Sequence, residues 1–185
     1  NEIRKVALYA HGKGEVTLSA LVKESSRMRP DRVVVGEIRD GNAAMDMLQA
    51  MNTGHEGSMG TVHANSPRDC FTRIDGMVAI AGMKIDQQAV YSQIASALDL
   101  IVYQTRMRDG TRAVTQIAEI TGMEGNVISM QDVFMRPADA VGASGPLRPA
   151  GLIPNCYQRI IDSGQTLERG MFLKDDEVGS ATRWR

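Results

Sequence analysis

The sequence predicts a mixed α/β protein in which a parallel sheet flanked by helices is followed by a small antiparallel β-meander. Three observations carry this. Val33, Val34 and Val35 form a β-branched run without polar alternation that ends abruptly at Gly36-Glu37, the pattern of a strand buried on both faces beneath covering helices. Helical patterns with their own capping residues flank it. After Tyr103 the pattern changes to partly alternating stretches separated by glycines, which reads as consecutive antiparallel strands rather than another strand–helix unit.

The elements follow in order. Thr17 caps a first helix that turns Leu18, Leu21, Val22 and Met28 to one face and stops at Pro30. The Val33–Val35 strand comes next. A second helix starts near Asp40, carries Ala43, Ala44, Met47, Leu48 and Met51 inward and stops at Gly54. Residues 55–65 read as a loop, a short strand of small residues and another loop. Ser66-Pro67-Arg68-Asp69 is a helix start, with Ser at the N-cap, Pro first in the helix and an acid two residues on. That helix buries Phe71, Ile74, Val78 and Ile80 and ends at Gly82. Asp86 caps a fourth, with Val90, Ile94, Ala97 and Leu98 inward, and Leu100–Tyr103 is a further buried strand. A turn at Arg108–Thr111 leads to strands over Ala113–Ile120 and Val127–Met130; 137–151 is a Gly- and Pro-rich loop, Asn155–Ser163 a short helix, and the chain beyond Phe172 a loosely held tail.

Composition excludes several classes of protein. With 21 basic and 22 acidic residues, a net charge of −1 and few aromatic residues, the chain lacks the basic face with stacking rings of a nucleic-acid binder. Its apolar runs are too short to cross a bilayer, and no stretch has the form of a signal peptide. Cys70 and Cys156 stand apart, fit no metal or redox spacing and read as reduced thiols of a cytosolic protein. The chain opens on Asn1 rather than Met and reads as a piece of a longer one.

The candidate chemistry centres on Glu37. An acid just beyond a buried strand lies at the carboxyl edge of the sheet, where α/β proteins bind ligands. The apolar run, glycine and glutamate together form a Walker-B pattern, whose carboxylate helps to hold Mg²⁺ or orients an attacking water. The same residues also fit a buried strand ending in an ordinary surface acid. His55 and His63 bracket the small-residue strand. Three readings are open for them: hydrogen-bonded structural residues, imidazoles that meet phosphate or water near Glu37, or a metal site completed by an acid. His11-Gly12-Lys13-Gly14-Glu15 lacks the leading glycine and the Ser or Thr after lysine that a phosphate loop requires, and no other stretch supplies one.

Arg27–Arg32, Gly36–Arg39, Leu48–His55 and Gly60–Pro67, with Glu119–Gly125 and Gln131-Asp132 further on, closely resemble the secretion-ATPase superfamily of type II and type IV secretion and pilus machines. Within it the chain is most similar to the CpaF branch, which drives tight-adherence (Flp-type) pilus assembly. The resemblance covers roughly residues 12–135. It implies a RecA-like P-loop ATPase core, of which 1–135 would be the C-terminal part, with 136–185 as loop, short helix and tail. Glu37 then matches the Walker-B glutamate and a Mg²⁺ ligand, His55 and His63 the two histidines of the His box, and Glu15 the acidic Asp box. Arg39, with Glu37 and His63, falls where bound ATP would be touched. Arg39 and Arg68 fit ordinary surface salt bridges better than contacts to phosphate or to a neighbouring subunit, which their place in or beside the motifs also allows.

The resemblance further implies a homohexamer that works on inner-membrane secretion or pilus platform proteins, cytoplasmic and peripheral to the inner membrane, using ATP and Mg²⁺, with no nucleic-acid partner and no separate metal site. It departs from the family in having no Walker-A loop, so the stretch taken alone is expected to be inactive. The alternative is a non-catalytic interaction module that docks on such a ring or platform. A third reading, a metal-dependent hydrolase using His55, His63 and Glu37, would need bound metal in stoichiometric amount.

Overall fold

The computed structural model describes residues 16–143 and 145–174. Helix α1 (Leu18–Arg27) is capped by Thr17, whose hydroxyl accepts the Ala20 N–H at 3.1 Å. The helix ends one residue before Met28, which is 82% exposed and not part of the apolar face. Arg29 then takes a left-handed conformation (φ 50°), the one non-glycine residue to do so among those described, and turns the chain toward Pro30.

Strand β1 (Val34–Val35) pairs in parallel with β2 (Met59–Gly60). Flanking bonds lengthen the ribbon: Met59 N–H to Val33 O at 3.0 Å, Ile38 N–H to Thr61 O at 2.9 Å, and Val33 N–H to the Ser58 hydroxyl at 2.9 Å. The expectation of a strand buried on both faces fails here. Val33 and Val35 enter the core, but Val34 and its partner Met59 are 56% and 59% exposed. Successive side chains of a strand point to opposite faces, and the helices of the described chain cover one face of this ribbon.

Between the two strands runs α2 (Gly41–Asn52), capped by Asp40, whose carboxylate accepts the Ala43 N–H at 2.9 Å. It packs against α1, α3 (Asp69–Ile80) and α4 (Gln87–Ala97) and buries Ala43, Ala44, Met47, Leu48 and Ala50. Gly41 permits its approach to α3, since a Cβ there would lie 2.4 Å from the Met77 carbonyl oxygen. Asp86 caps α4 as expected, accepting the Gln88 N–H at 2.8 Å. Ile80, expected inside, is the last residue of α3 and is 87% exposed.

The second sheet is antiparallel, in the order β3 (Leu100–Arg106), β4 (Arg112–Glu124), β5 (Val127–Met135) and β6 (Arg148–Pro149). Its strands run longer than the sequence pattern suggested, and β6 lies inside the expected 137–151 loop. Leu100–Tyr103 is correspondingly not an interior strand of the parallel sheet. It belongs to the edge of the antiparallel one and alternates outward, with Leu100 43% and Val102 60% exposed. Ile120 and Ile128 of this sheet join the helical core around Val90 and Ile94. Elsewhere on the sheet Phe134 packs on Phe172 at 5.6 Å between ring centres, and Phe172 meets Tyr157 edge-on at 5.9 Å.

Helix α5 (Cys156–Asp162) is tied to the sheet by Glu119, which is only 2% exposed. Its Oε2 accepts from Gln131 Nε2 at 2.8 Å and Asn155 N at 2.9 Å, and its Oε1 from Cys156 N at 2.9 Å. A carboxylate thus serves the orphan amides at the start of α5, where the helix dipole favours negative charge.

Candidate functional site

Because β1 and β2 are parallel, the residues that follow them emerge at one edge. Gly36-Glu37 follows β1, and Thr61-Val62-His63 follows β2. Two bonds fasten these exits together, the Thr61 hydroxyl to Gly36 O at 2.5 Å and Ile38 N–H to Thr61 O at 2.9 Å. At that edge Glu37 Oε1 lies 3.1 Å from His63 Nε2, and Oε2 accepts from Arg39 Nη2 at 2.5 Å. The Arg39 guanidinium, with His63 beside it, holds the Glu37 carboxyl below the usual carboxylate range. Glu37 is therefore ionised at neutral pH. The Glu37 side chain is 27% exposed, against 70% for Arg39 and 87% for His63. Exposed pairs of this kind contribute little to stability, and their consequence is electrostatic: they keep the Glu37 carboxyl charged.

The Glu37 partners Arg39 and His63 line a cleft of about 780 Å³ between the start of α2, the 63–65 loop and α3, together with Asn42, Asn65, Asp69 and Arg73. The cleft is polar on the α2 and loop side, and Met77 and Ile80 make it apolar toward the end of α3. Each oxygen of Glu37 already takes one donor, and a carboxylate oxygen has room for a second. The site can therefore accept a proton or hydrogen bond from water, or offer a ligand to a cation that brings its other ligands with it. No group of three or more His, Cys, Asp or Glu side chains suited to a metal occurs among the described residues.

The structure brings together three of the residues singled out from the sequence, Glu37, Arg39 and His63. His55 is elsewhere. It precedes β2, at the opposite end of the strand from His63, and its Nδ1 is 3.2 Å from Ala50 O at the end of α2. The expectation that both histidines share the edge with Glu37 thus holds for His63 alone, because the strand between them carries the chain from one end of the ribbon to the other. Glu15 lies outside the described residues. Arg68 donates to Ile128 O on β5 at 3.3 Å, a contact neither with an acid nor with the cleft.

Ser66 and Asp69, expected as the N-cap and first turn of a helix, instead hold the His63 loop, and α3 begins only at Asp69 with Arg68 at its N-cap. Asp69 accepts from Asn65 N at 2.9 Å and Asn65 Nδ2 at 3.1 Å, while its own N–H donates to the Ser66 hydroxyl at 3.0 Å. This reciprocal pattern resembles a capping box, and the Ser-x-x-Asp spacing was its available signal. The third holder, Tyr103, donates to Asn65 O at 2.6 Å from a sequence distance of 38 residues and had no local signal.

Of the residues that the motif resemblance singled out, Glu37 and His63 thus stand at the exits of two neighbouring parallel strands, and His55 does not. The chain belongs to the family described as "Type II/IV secretion system protein", whose sequence profile matches residues 1–144. Among its relatives, the Mycobacterium tuberculosis protein Rv3659c, which carries a provisional conjugal-transfer name, is 46% identical over 116 residues, 63% of this chain and 32% of its own length. The conjugal transfer protein TrbB of Rhizobium radiobacter is 38% identical over 120 residues, 65% of this chain and 35% of its own. Among solved structures, the VirB11 ATPase of the Brucella suis type IV secretion system, determined with sulphate, superposes with a TM-score of 0.50 at 28% identity, covering 55% of this chain and 31% of that one. The chain therefore spans about a third of the length of these relatives. No helix among the described residues is long and apolar enough to cross a membrane.

Proposed function

We propose that this chain is part of a motor ATPase that hydrolyses ATP to power protein export, conjugal transfer or pilus assembly. The observation that carries the reading is the Glu37 carboxylate, ionised at the parallel-strand edge and paired with Arg39 and His63, which line a polar cleft. In this role Glu37 orients the attacking water and takes up its proton, or shares in holding Mg²⁺. In the same role His63 and Arg39 would meet the charge of a terminal phosphate. Magnesium, when bound with the nucleotide, would neutralise phosphate charge. Glu37 suits it as a single carboxylate ligand, since Mg²⁺ usually takes only one or two from protein and the rest from phosphate and water. His55, bonded to the end of α2, fits a supporting role for the loop that enters β2.

The finer assignments belong to the same proposal: a RecA-like core, the CpaF-like branch, a homohexamer, a location against the inner membrane beside platform proteins, and a division into 1–135 and 136–185. The name of the VirB11 relative supports ATP chemistry, and those of the conjugal relatives support transport. Within the 185 residues no Walker-A pattern occurs, so we expect this stretch alone to hold ATP weakly and turn it over negligibly.

The test pairs two proteins. The 185-residue chain is titrated with Mg²⁺ and a fluorescent ATP analogue, and turnover is measured on a longer reading frame that contains a Walker-A loop. There Glu37→Gln should lower turnover by about 10²–10⁴-fold with nucleotide affinity retained, the usual range for a positioned base. Loss of affinity with turnover would make Glu37 a binding or structural group. A longer protein that binds no nucleotide, yet docks on a secretion ring or platform, would establish the non-catalytic module instead.

A further inference from the structure

We infer that Tyr103 is a positioning residue for His63, so that the antiparallel sheet holds one wall of the Glu37 site. The inference deepens the proposed ATPase reading and rests on it only for the word "site"; the mechanical link stands independently. His63 needs such a link. Its side chain is 87% exposed and its contact is with Glu37, and an exposed ion pair does not fix a side chain by itself. Its place must come from its backbone.

That backbone is fastened at two points. At one, Thr61 is bonded to Gly36 and Ile38 on the β1 side. At the other, Asn65 is gripped from opposite sides: Asp69 takes its N–H and its side-chain amide, and Tyr103 donates its hydroxyl to its carbonyl. Val62, His63 and Ala64 span the gap. Removing the second fastening would leave His63 held on one side by Thr61 and by Val62, which packs on the core, and on the other only by the chain's entry into α3 through Pro67.

The placement of Tyr103 follows from the sheet. On β3 it shares the face of Ile101, which packs on the helical core, while Leu100 and Val102 point away. Immediately after Tyr103 the pairing with β4 slips, between Tyr103 and Gln104, the kind of irregularity that re-aims a side chain. A second tie runs in parallel, Arg68 to Ile128 O on β5, next to the Asp69 grip. Movement of β3 and β5 relative to the helices would thus reach His63 through Asn65.

Tyr103→Phe in the full 185-residue chain tests this, since it deletes one oxygen and retains the ring. Amide exchange of Asn65 should rise about fivefold, the effect of one net hydrogen bond, with exchange in α2 and β4 unchanged. The discriminating measurement is a cycle by nuclear magnetic resonance. Glu37→Gln shifts the His63 ring signals of the parent, because the two groups touch, and in the Tyr103→Phe background that shift should fall by half or more. Unchanged Asn65 exchange with an unchanged cycle would overturn the inference. A uniform rise of exchange across α2 and β4 would overturn it too, reducing Tyr103 to a general packing residue. If the cycle behaves as expected while a longer, Walker-A-containing protein hydrolyses no ATP, the positioning stands and the ATPase reading alone falls.

Discussion

Replacing Glu119 by Gln should detach the C-terminal segment from the sheet, and the size of the effect can be worked from its bonds. The carboxylate is 2% exposed and accepts from Gln131 Nε2, Asn155 N and Cys156 N. A glutamine has one acceptor oxygen. Placed where Oε2 stands it keeps the Gln131 and Asn155 bonds, but its amide group then faces the Cys156 N–H, donor to donor. One charge-assisted bond is lost, about 1.5–3 kcal/mol, and the two that remain weaken as the charge disappears. The sum is roughly 2–4 kcal/mol, concentrated at the start of α5. Hydrogen exchange should show it as a rise of about 30- to 1000-fold at residues 155–162, at tenfold per 1.4 kcal/mol, so far as local opening rather than global unfolding limits exchange there. Thermal unfolding of the remaining chain should move less. Unchanged exchange across α5 would refute the reasoning, because it would mean that the amides find other partners without the charge.

Gly41→Ala should destabilise the fold by about 1–3 kcal/mol or more in denaturant unfolding, since its Cβ would meet the Met77 carbonyl at 2.4 Å and overpacking against backbone cannot relax cheaply. Gly36→Ala, with nothing within 4 Å of its Cβ, should be nearly neutral in the same assay. Met47→Ala, at 1% exposure in the middle of α2, should cost about 2–5 kcal/mol. Glu37 has its folded-state pKa lowered, chiefly by Arg39, so its stabilising contribution is present above the unfolded pKa and is lost as pH falls through the folded one. Glu37→Gln should accordingly remove a small increment of stability near neutrality and flatten stability against pH as it falls from the ordinary carboxylate range through the lowered folded-state pKa, so that mutant and parent converge in acid. Burial, reinforced by the Asp69 charge, pushes the Cys70 thiol up to about 11. Alkylation of the folded chain near pH 8 should therefore be far slower at Cys70 than at a free thiol, as mass spectrometry of the labelled protein would show.

Sequence by itself determined the elements whose signals lie within a few residues. Thr17, Asp40 and Asp86 cap the helices expected of them, and the valine run ends at Gly36-Glu37 as a strand with an acid at its carboxyl edge. A cap bonds two or three residues ahead, and a strand exit is written in adjacent letters, so neighbouring residues suffice to read them. Glu37, Arg39 and His63 were legible as candidates because motif and strand exit coincide. Tertiary structure decided what depends on pairing at a distance. It placed Val34 outward, assigned Leu100–Tyr103 to the antiparallel edge, and put His55 at the far end of β2 from His63. It also brought Tyr103 to Asn65 across 38 residues, Glu119 to Cys156 across 37 and Arg68 to Ile128 across 60. The alternation of a strand states which residues share a face, but not which face is covered or where the register slips. Those follow from the packing of whole sheets and helices against one another, which no short window of sequence contains.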